Sequence, residues 1–207
     1  MRHAAPGVRP SRVTPLYRDG LGQALFSLVS LVWVVSEITI GIRVIGRVGT
    51  RRQDRLSGPA LIAGILVAVY ASIGAAYRWP GAAIPFARSE IFAIGVLLAL
   101  AGIALRQYAV VVLGRFFTTR VMTTSDQKVV DRGPYRFVRH PSYTGALMTV
   151  AGLVLCATNW LSLSCFLLTL PGLAYRIRVE EGVLIEGLGQ PYRAYMSRTK
   201  RLVPFVV

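Results

Sequence analysis

The sequence predicts an all-α, polytopic membrane protein with about five transmembrane helices. Of its 207 residues, 54% are hydrophobic, and the mean hydropathy is +0.53. A soluble domain of this size has about 45–50% apolar residues, so the excess indicates contact with lipid. The arginines fall between long apolar runs rather than along one face. This distribution argues against a nucleic-acid-binding protein despite the formal net charge of +15.

Five apolar segments account for the predicted helices. Three of them, 21–42, 59–77 and 91–113, are long enough to cross a bilayer, which takes about 20 residues. The segments 143–158 and 160–175 are only about 16 residues each, and Asn159 alone separates them. Since backbone groups in lipid must be paired within the protein, each segment is predicted to be helical. The last two are predicted to form a tight helical hairpin.

Lys and Arg counts predict the orientation of these segments. Residues 43–58 hold five such cations, residues 114–141 hold six, and the tail after residue 175 holds six, whereas residues 78–90 hold two. Cytoplasmic loops carry the excess of Lys and Arg. We therefore expect an integral membrane protein, in the plasma membrane if the source is bacterial, with a cytoplasmic C-terminal helix.

The chain is interpreted as a single domain over residues 1–207, because no long linker or repeat interrupts it. Residues 21–113 are expected to supply three N-terminal membrane helices, and 114–207 a loop, the hairpin and the C-terminal helix. Both cysteines lie inside apolar runs, which favours small core residues over a disulfide or a metal pair. With His3 and His140 as the only histidines, a histidine-rich metal site is excluded, and we expect no metal.

A rigid, basic segment precedes the fourth apolar run. It reads GPYRFVRHPSYTG over residues 133–145. Pro134 and Pro141 restrict their own backbone and that of the residues before them. One interpretation is a positively charged loop that binds phospholipid headgroups, which requires charge but no particular residue order. That interpretation leaves the prolines, the histidine and the tyrosines unexplained.

Two adjacent carboxylates, Glu180 and Glu181, follow the last apolar run, on a helix expected to continue beyond residue 175. Neighbouring side chains on a helix point about 100° apart, so at most one of the two can face a pocket directly. The other is free to lie on the surface, or to pair with Arg176 or Arg178.

Residues 133–145, together with RVEEGVLIEGLGQPYRAYMSRTKRLVPF at 178–205, resemble the isoprenylcysteine carboxyl methyltransferase family. These are integral membrane enzymes that use S-adenosylmethionine. Arg-His-Pro-x-Tyr-x-Gly alone also occurs in related phospholipid methyltransferases and sterol reductases. Glu-Glu-x-x-Leu and Tyr-x-x-Tyr-x-x-Arg at this spacing make the resemblance specific, and it covers about residues 113–205.

The resemblance implies a cofactor pocket formed by the loop, the hairpin and the C-terminal helix. The residues implied to contact S-adenosylmethionine are Tyr135, His140, Pro141, Tyr143, Gly145, Glu180, Glu181 and Tyr192. Catalytic roles are implied for Arg139, His140 and Glu181, with Arg139 meeting the acceptor's carboxylate. For Gly145, a glycine that simply packs against another helix is an equal alternative.

The resemblance also implies methyl transfer to a lipophilic small molecule or lipid-modified acceptor, in the first place to a carboxylate. An ionised carboxylate needs no general base, whereas a phenol or thiol would, and His140 is the local candidate. A lipid amine, a sterol-reductase-like NADPH enzyme and a non-catalytic membrane-lipid-binding protein remain alternatives. We expect the charged cofactor to enter from the cytoplasm and the acceptor to enter sideways from the lipid, because crossing hydrocarbon is costly for a charge.

Two charged residues interrupt the predicted spans. Glu37 lies in the first apolar run, where an acid is by default a functional candidate, although it is close enough to the interface to reach water. Arg106 lies in the third run, and we expect its long side chain to extend towards the cytoplasmic surface.

Overall fold

The computed structural model describes residues 18–44, 51–52, 56–117, 122–123 and 128–203. These residues form α1 (Gly20–Val44), α2 (Ser57–Arg78), α3 (Arg88–Leu113), α4 (Pro141–Leu155), α5 (Trp160–Ser164), α6 (Leu170–Leu188) and α7 (Gln190–Arg198). Short 3₁₀ helices lie at Pro80–Ala82, Gly114–Phe116, Gly133–Arg136 and Cys165–Thr169. A two-residue strand β1 (Arg51–Arg52) pairs antiparallel with β2 (Met122–Thr123). His3, named above, lies outside the described residues.

Four helical segments are long and apolar enough to cross a membrane: Gly20–Arg43, Ser57–Arg78, Arg88–Phe116 and Trp160–Leu188. The helix Pro141–Leu155 is apolar but shorter. Large apolar side chains point outwards, as with Leu97, which is 66% exposed, and this is expected of a surface that faces lipid. The prediction of an all-helical polytopic membrane protein is therefore confirmed.

The helix of the last apolar segment continues beyond residue 175, as expected from the sequence. The helical course runs through α5, one 3₁₀ turn and α6 to Leu188. It ends where Gly189 adopts a positive φ of 60°, a conformation that glycine reaches without steric cost. The hydropathy of residues 176–188 falls because charges enter the sequence, but the helix itself continues.

Helices α3 and α4 pack with their backbones almost in contact. A Cβ atom added to Gly152 would lie 2.4 Å from the backbone N of Ala99, and one added to Gly102 would lie 2.5 Å from the backbone N of Thr149. Small residues at membrane helix contacts permit this close approach. The α3–α4 pair consequently forms a closely packed centre, against which α1 and α2 also pack.

Polar bonds attach α1 to this centre. The Gln107 side-chain amide donates to the Ser36 hydroxyl at 2.6 Å and to the Ser36 carbonyl at 3.0 Å. Few side chains of α1 are buried, so hydrogen bonds of this kind supplement its limited packing.

Asn159 builds the turn of the predicted hairpin. Its side-chain oxygen caps α5 by accepting from the backbone N–H groups of Leu161 at 3.0 Å and Ser162 at 3.1 Å. Its amide nitrogen donates to the carbonyl of Trp79 at 3.0 Å, at the end of α2. The turn is thereby fixed both to the helix that follows it and to a neighbouring span.

The segment 133–145, expected to be a loop, is more ordered than that. Residues Gly133–Arg136 form a 3₁₀ helix, and α4 already begins at Pro141. Proline has no backbone N–H and has a fixed φ, so it suits the first turn of a helix, where that N–H would have no helical partner. The prolines therefore start two helices, and they place His140 at the junction immediately before α4.

Candidate active site

A cavity of about 210 Å³ lies where the start of α2, the end of α3, the start of α4, and helices α6 and α7 meet. Its apolar lining is Leu61, Ile62, Leu113, Phe116, Phe117, Val129, Val130, Val183, Leu184 and Leu188. Its polar and aromatic lining includes Glu37, Arg106, Tyr135, Arg139, His140, Ser142, Tyr143, Arg176, Glu180, Tyr192 and Tyr195. A single pocket therefore offers hydrocarbon surface and charged groups together.

Most of the residues implied by the motif meet at this cavity. Those on its wall are Tyr135, Arg139, His140, Tyr143, Glu180 and Tyr192. Pro141, Gly145 and Glu181 do not line it. A Cβ on Gly145 would lie 2.7 Å from the backbone N of Arg106, so Gly145 serves the α3–α4 contact, the alternative considered above. Pro141 is buried at the start of α4.

A partly buried chain of polar groups runs from Glu180 to α2. The Tyr143 hydroxyl donates to the Glu180 carboxylate, and the Arg176 Nε donates to that hydroxyl at 2.9 Å. Arg176 Nη1 donates to the Ser57 hydroxyl at 3.0 Å. Arg176 is only 4% exposed. The chain holds an anion and a cation side by side on the cavity wall. Pairing with Arg176 was an alternative considered above for the adjacent carboxylates, whereas the motif did not indicate Ser57.

Glu181 does not line the cavity, and its carboxylate lies among two arginines and a histidine. Its Oε1 accepts from Arg139 Nε at 2.9 Å and lies 3.3 Å from His140 Nε2. Its Oε2 accepts from Arg201 Nε at 3.1 Å and Nη2 at 2.9 Å. We call these four residues the Glu181 cluster. The expectation that only one of the two adjacent carboxylates faces the pocket is met, with Glu180 as the facing residue.

The Arg139 guanidinium is largely engaged by the protein itself. Besides Glu181, its Nη1 donates to the Met196 carbonyl at 3.1 Å and to the Thr199 carbonyl. The side chain is 9% exposed. Arg139 reaches the cavity, but most of its donors fix the segment 139–140 against α7 and the residues that follow it.

Arg106 does not extend to the surface as expected, because it is paired inside the protein. Its Nε and Nη2 donate to the two carboxylate oxygens of Glu37 at 2.6 and 2.8 Å, a bidentate arrangement. Nη1 donates to the Ser142 hydroxyl at 3.0 Å. We call Glu37 and Arg106 the Glu37 pair. Opposite charges in two apolar runs were the available signal, since an intramembrane charge needs a partner.

Tyrosines close the cavity around His140. The Tyr143 ring stacks on the imidazole, with 5.5 Å between ring centroids and a 24° interplanar angle. The Tyr195 hydroxyl donates to the Tyr135 carbonyl at 2.6 Å. Burial, followed by the negative charge of Glu180, raises the pKa of Tyr135, and burial followed by Glu181 raises the pKa of Tyr192. Both rings are therefore neutral phenols that offer an aromatic face and a hydroxyl.

The comparisons with known proteins agree with the motif. The model of the isoprenylcysteine carboxyl methyltransferase (ICMT) family matches residues 94–186. A "Probable protein-S-isoprenylcysteine O-methyltransferase" of Oryza sativa subsp. indica is 33% identical over 116 residues, which are 55% of this chain and 61% of the relative. The Saccharomyces cerevisiae "Protein-S-isoprenylcysteine O-methyltransferase" is 36% identical over 116 residues, which are 55% of this chain and 48% of the relative.

A solved structure supports the fold. The "eukaryotic intramembrane Ras methyltransferase ICMT" matches with a TM-score of 0.65 and 23% identity, over 88% of this chain and 66% of that chain. The chain spans 61% of the length of the Oryza sativa relative and 48% of the length of the Saccharomyces cerevisiae relative. The family resemblance drawn from the two motifs is confirmed.

Proposed function

We propose that this chain, whose residues 94–186 match the model of the isoprenylcysteine carboxyl methyltransferase family, transfers a methyl group from S-adenosylmethionine to the carboxylate of a lipophilic acceptor. An S-prenylated cysteine is the acceptor that best fits this proposal. The observation that carries it is the cavity, in which the hydrogen-bonded chain of Glu180, Tyr143 and Arg176 faces the same space as apolar side chains from three membrane spans.

The polar chain fits the donor molecule. S-adenosylmethionine carries an amino group, a carboxylate, ribose hydroxyls and a sulfonium cation. Glu180 offers carboxylate oxygens to an ammonium or a hydroxyl group, and Arg176 offers a guanidinium to a carboxylate. The neutral rings of Tyr135, Tyr143 and Tyr192 offer faces that attract a cation by roughly 0.5–2 kcal/mol. The described residues thus supply a complementary group for each charged part of the molecule.

The reaction asks little acid–base chemistry of the protein. When bound, S-adenosylmethionine supplies an electrophilic methyl carbon: an acceptor carboxylate oxygen forms the new bond, the carbon–sulfur bond breaks, and S-adenosylhomocysteine leaves. No proton is gained or lost, so no general base is needed. The work of the protein is then alignment and exclusion of water, which can contribute several kcal/mol or more. His140, held by Glu181, is assigned to shaping the pocket next to Tyr143.

Two arginines are candidates to hold the acceptor carboxylate. The motif implies Arg139, but its Nη1 donates to two backbone carbonyls and its Nε to buried Glu181. Arg106 is better supported. Its partner Glu37 has a side chain that is 36% exposed, so an incoming carboxylate can take the place of Glu37 on the guanidinium. Glu37 would then keep Arg106 extended until the acceptor arrives.

We assign the cavity to the cytoplasmic side, because many of its lining residues lie in or next to the cation-rich segments 43–58, 114–141 and 176–201. Such segments are typical of the cytoplasmic side of a membrane protein. Leu61 and Ile62 belong to a membrane span and line the cavity. This supports entry of the acceptor from the lipid between helices, with the donor entering beside α6 and α7.

The test is methyl transfer by purified protein in nanodiscs, with radiolabelled S-adenosylmethionine and an S-prenyl cysteine whose carboxylate is free. The matched control is the corresponding S-prenyl cysteine amide. We expect the label to enter the S-prenyl cysteine with the free carboxylate and not its amide. Mild base should then release labelled methanol from the product, because it cleaves a methyl ester but not a methyl ether, thioether or amine. Base-stable label would identify a different acceptor atom, and binding of NADPH with no binding of S-adenosylhomocysteine would favour a reductase.

A further inference from the structure

The residues after α7 run alongside the motif segment. We call residues 199–203 the C-terminal tail. The Arg139 backbone N–H donates to the Lys200 carbonyl at 2.7 Å, and the His140 N–H donates to the Arg201 carbonyl at 3.0 Å. Val138 and Lys200 form a parallel β-bridge. The backbone on which Arg139 and His140 are mounted is thus held by the tail.

Two side chains fasten the tail to the site. The hydroxyl of Thr144, which lies in the first turn of α4, donates to the Leu202 carbonyl at 2.7 Å. The Arg201 guanidinium reaches Glu181, whose side chain is 5% exposed, while that of Arg201 is 48% exposed. The tail therefore contacts two of the elements that build the cavity, α4 and α6.

Within the Glu181 cluster, the two carboxylate oxygens have different partners. Oε1 is shared by Arg139, His140 and, at 3.3 Å, Arg201 Nε. Among the described residues, Oε2 receives hydrogen bonds from Arg201 alone. A buried carboxylate oxygen without a donor carries a large desolvation cost. Removing Arg201 therefore frees the carboxylate to rotate towards water, away from Arg139 and His140.

We propose that the C-terminal tail is a strap that completes the site, and that Arg201 is a positioning residue that acts through Glu181 on Arg139 and His140. This inference rests on the proposed function where it is tested by the affinity for S-adenosylhomocysteine. Arg201 does not line the cavity, so its effect passes through the residues that it holds.

The test compares Arg201→Ala with Lys200→Ala in the full chain, by titration with S-adenosylhomocysteine. The two variants lose the same charge from adjacent positions, but the Lys200 side chain is exposed and its backbone carbonyl survives the substitution. We expect Arg201→Ala to weaken binding roughly tenfold or more, the loss of a charge-assisted hydrogen bond. Lys200→Ala should stay within about twofold, and Arg201→Lys should regain much of the affinity because it restores a cationic donor. Equal affinities in Arg201→Ala and Lys200→Ala would overturn the proposal.

Amide hydrogen exchange keeps the strap testable without enzyme activity. The Arg139 and His140 amides should exchange faster in Arg201→Ala and in Thr144→Val than in Lys200→Ala. Thr144→Val preserves side-chain shape and all charges, so it also serves if Arg201→Ala fails to fold. Unchanged exchange in both variants would overturn the strap. If the wild type binds no S-adenosylhomocysteine, the proposed function fails, and faster exchange alone still supports the strap.

Discussion

The Glu37 pair and the Glu181 cluster both join a carboxylate to a guanidinium beside one cavity, yet their surroundings differ. The Glu181 side chain is 5% exposed and meets two arginines and a histidine from two separate segments. Glu37 is 36% exposed and meets one arginine. Breaking a buried ion pair is costly because it leaves an uncompensated charge, whereas a partly exposed pair can exchange partners. The difference indicates that the Glu181 cluster is architectural and that the Glu37 pair is open to an anionic ligand.

The largest effect is expected for Glu181→Gln. A neutral amide cannot balance the guanidinium groups of Arg139 and Arg201, so we expect the binding free energy of S-adenosylhomocysteine to weaken by roughly 1.5–3 kcal/mol or more while the protein still folds in detergent. Glu186→Gln is the matched control, since Glu186 is exposed on the same helix. Titration of both variants decides the matter. Wild-type affinity in Glu181→Gln would remove the cluster from the site and leave Glu180 as the important carboxylate.

The next effect separates Arg106 from Arg139. We expect Arg106→Ala to raise the KM for the acceptor and to lower kcat/KM, a loss of transition-state stabilisation of roughly 2 kcal/mol. The affinity for S-adenosylhomocysteine should stay near the wild-type value. Arg139→Ala should weaken the binding of both the acceptor and S-adenosylhomocysteine, because Arg139 belongs to the Glu181 cluster. Arg136→Ala is the control, an exposed cation of the same segment. Lost turnover with intact cofactor affinity in Arg139→Ala would return the acceptor role to Arg139, as the motif implies.

A smaller effect concerns how Arg106 is placed. A Cβ at position 145 would meet the backbone N of Arg106 and the carbonyl of Gly102, both at 2.7 Å. We therefore expect Gly145→Ala to push α3 and α4 apart and to cost roughly 1–3 kcal/mol, seen as a lower Tm in detergent. At Gly182 no such atom lies within 4 Å, so Gly182→Ala should be neutral or stabilise by up to about 1 kcal/mol. Equal Tm values would show that the helix contact yields without cost.

The membrane spans and the motif residues on the cavity wall were predictable because their signals are local. Lipid requires long apolar helices, and the motif brought Arg139, His140 and Tyr143 together with Glu180. Partnerships between distant segments were not predictable. The pairing of Glu37 with Arg106 depends on how α1 rests on α3, and the direction of Glu181 depends on the rotation of α6 about its axis. Neither quantity is written in the composition or spacing of a single chain.

The smallest effect is expected for Asp131→Asn, and it tests whether exposure or distance sets the strength of these pairs. Arg198 Nη2 lies 2.6 Å from Asp131 Oδ2, as short as the contact from Arg106 Nε to Glu37 Oε1. The Arg198 side chain is, however, 61% exposed, and that of Asp131 is 31% exposed. Water and salt screen such a pair, so its loss should cost only about 0.2–1 kcal/mol, by thermal unfolding, and less at high salt. The matched substitution is Glu37→Gln, which should cost more and should change little with salt because Arg106 is 16% exposed. Equal losses in the two variants would mean that the burial of Arg106 does not strengthen its pair with Glu37.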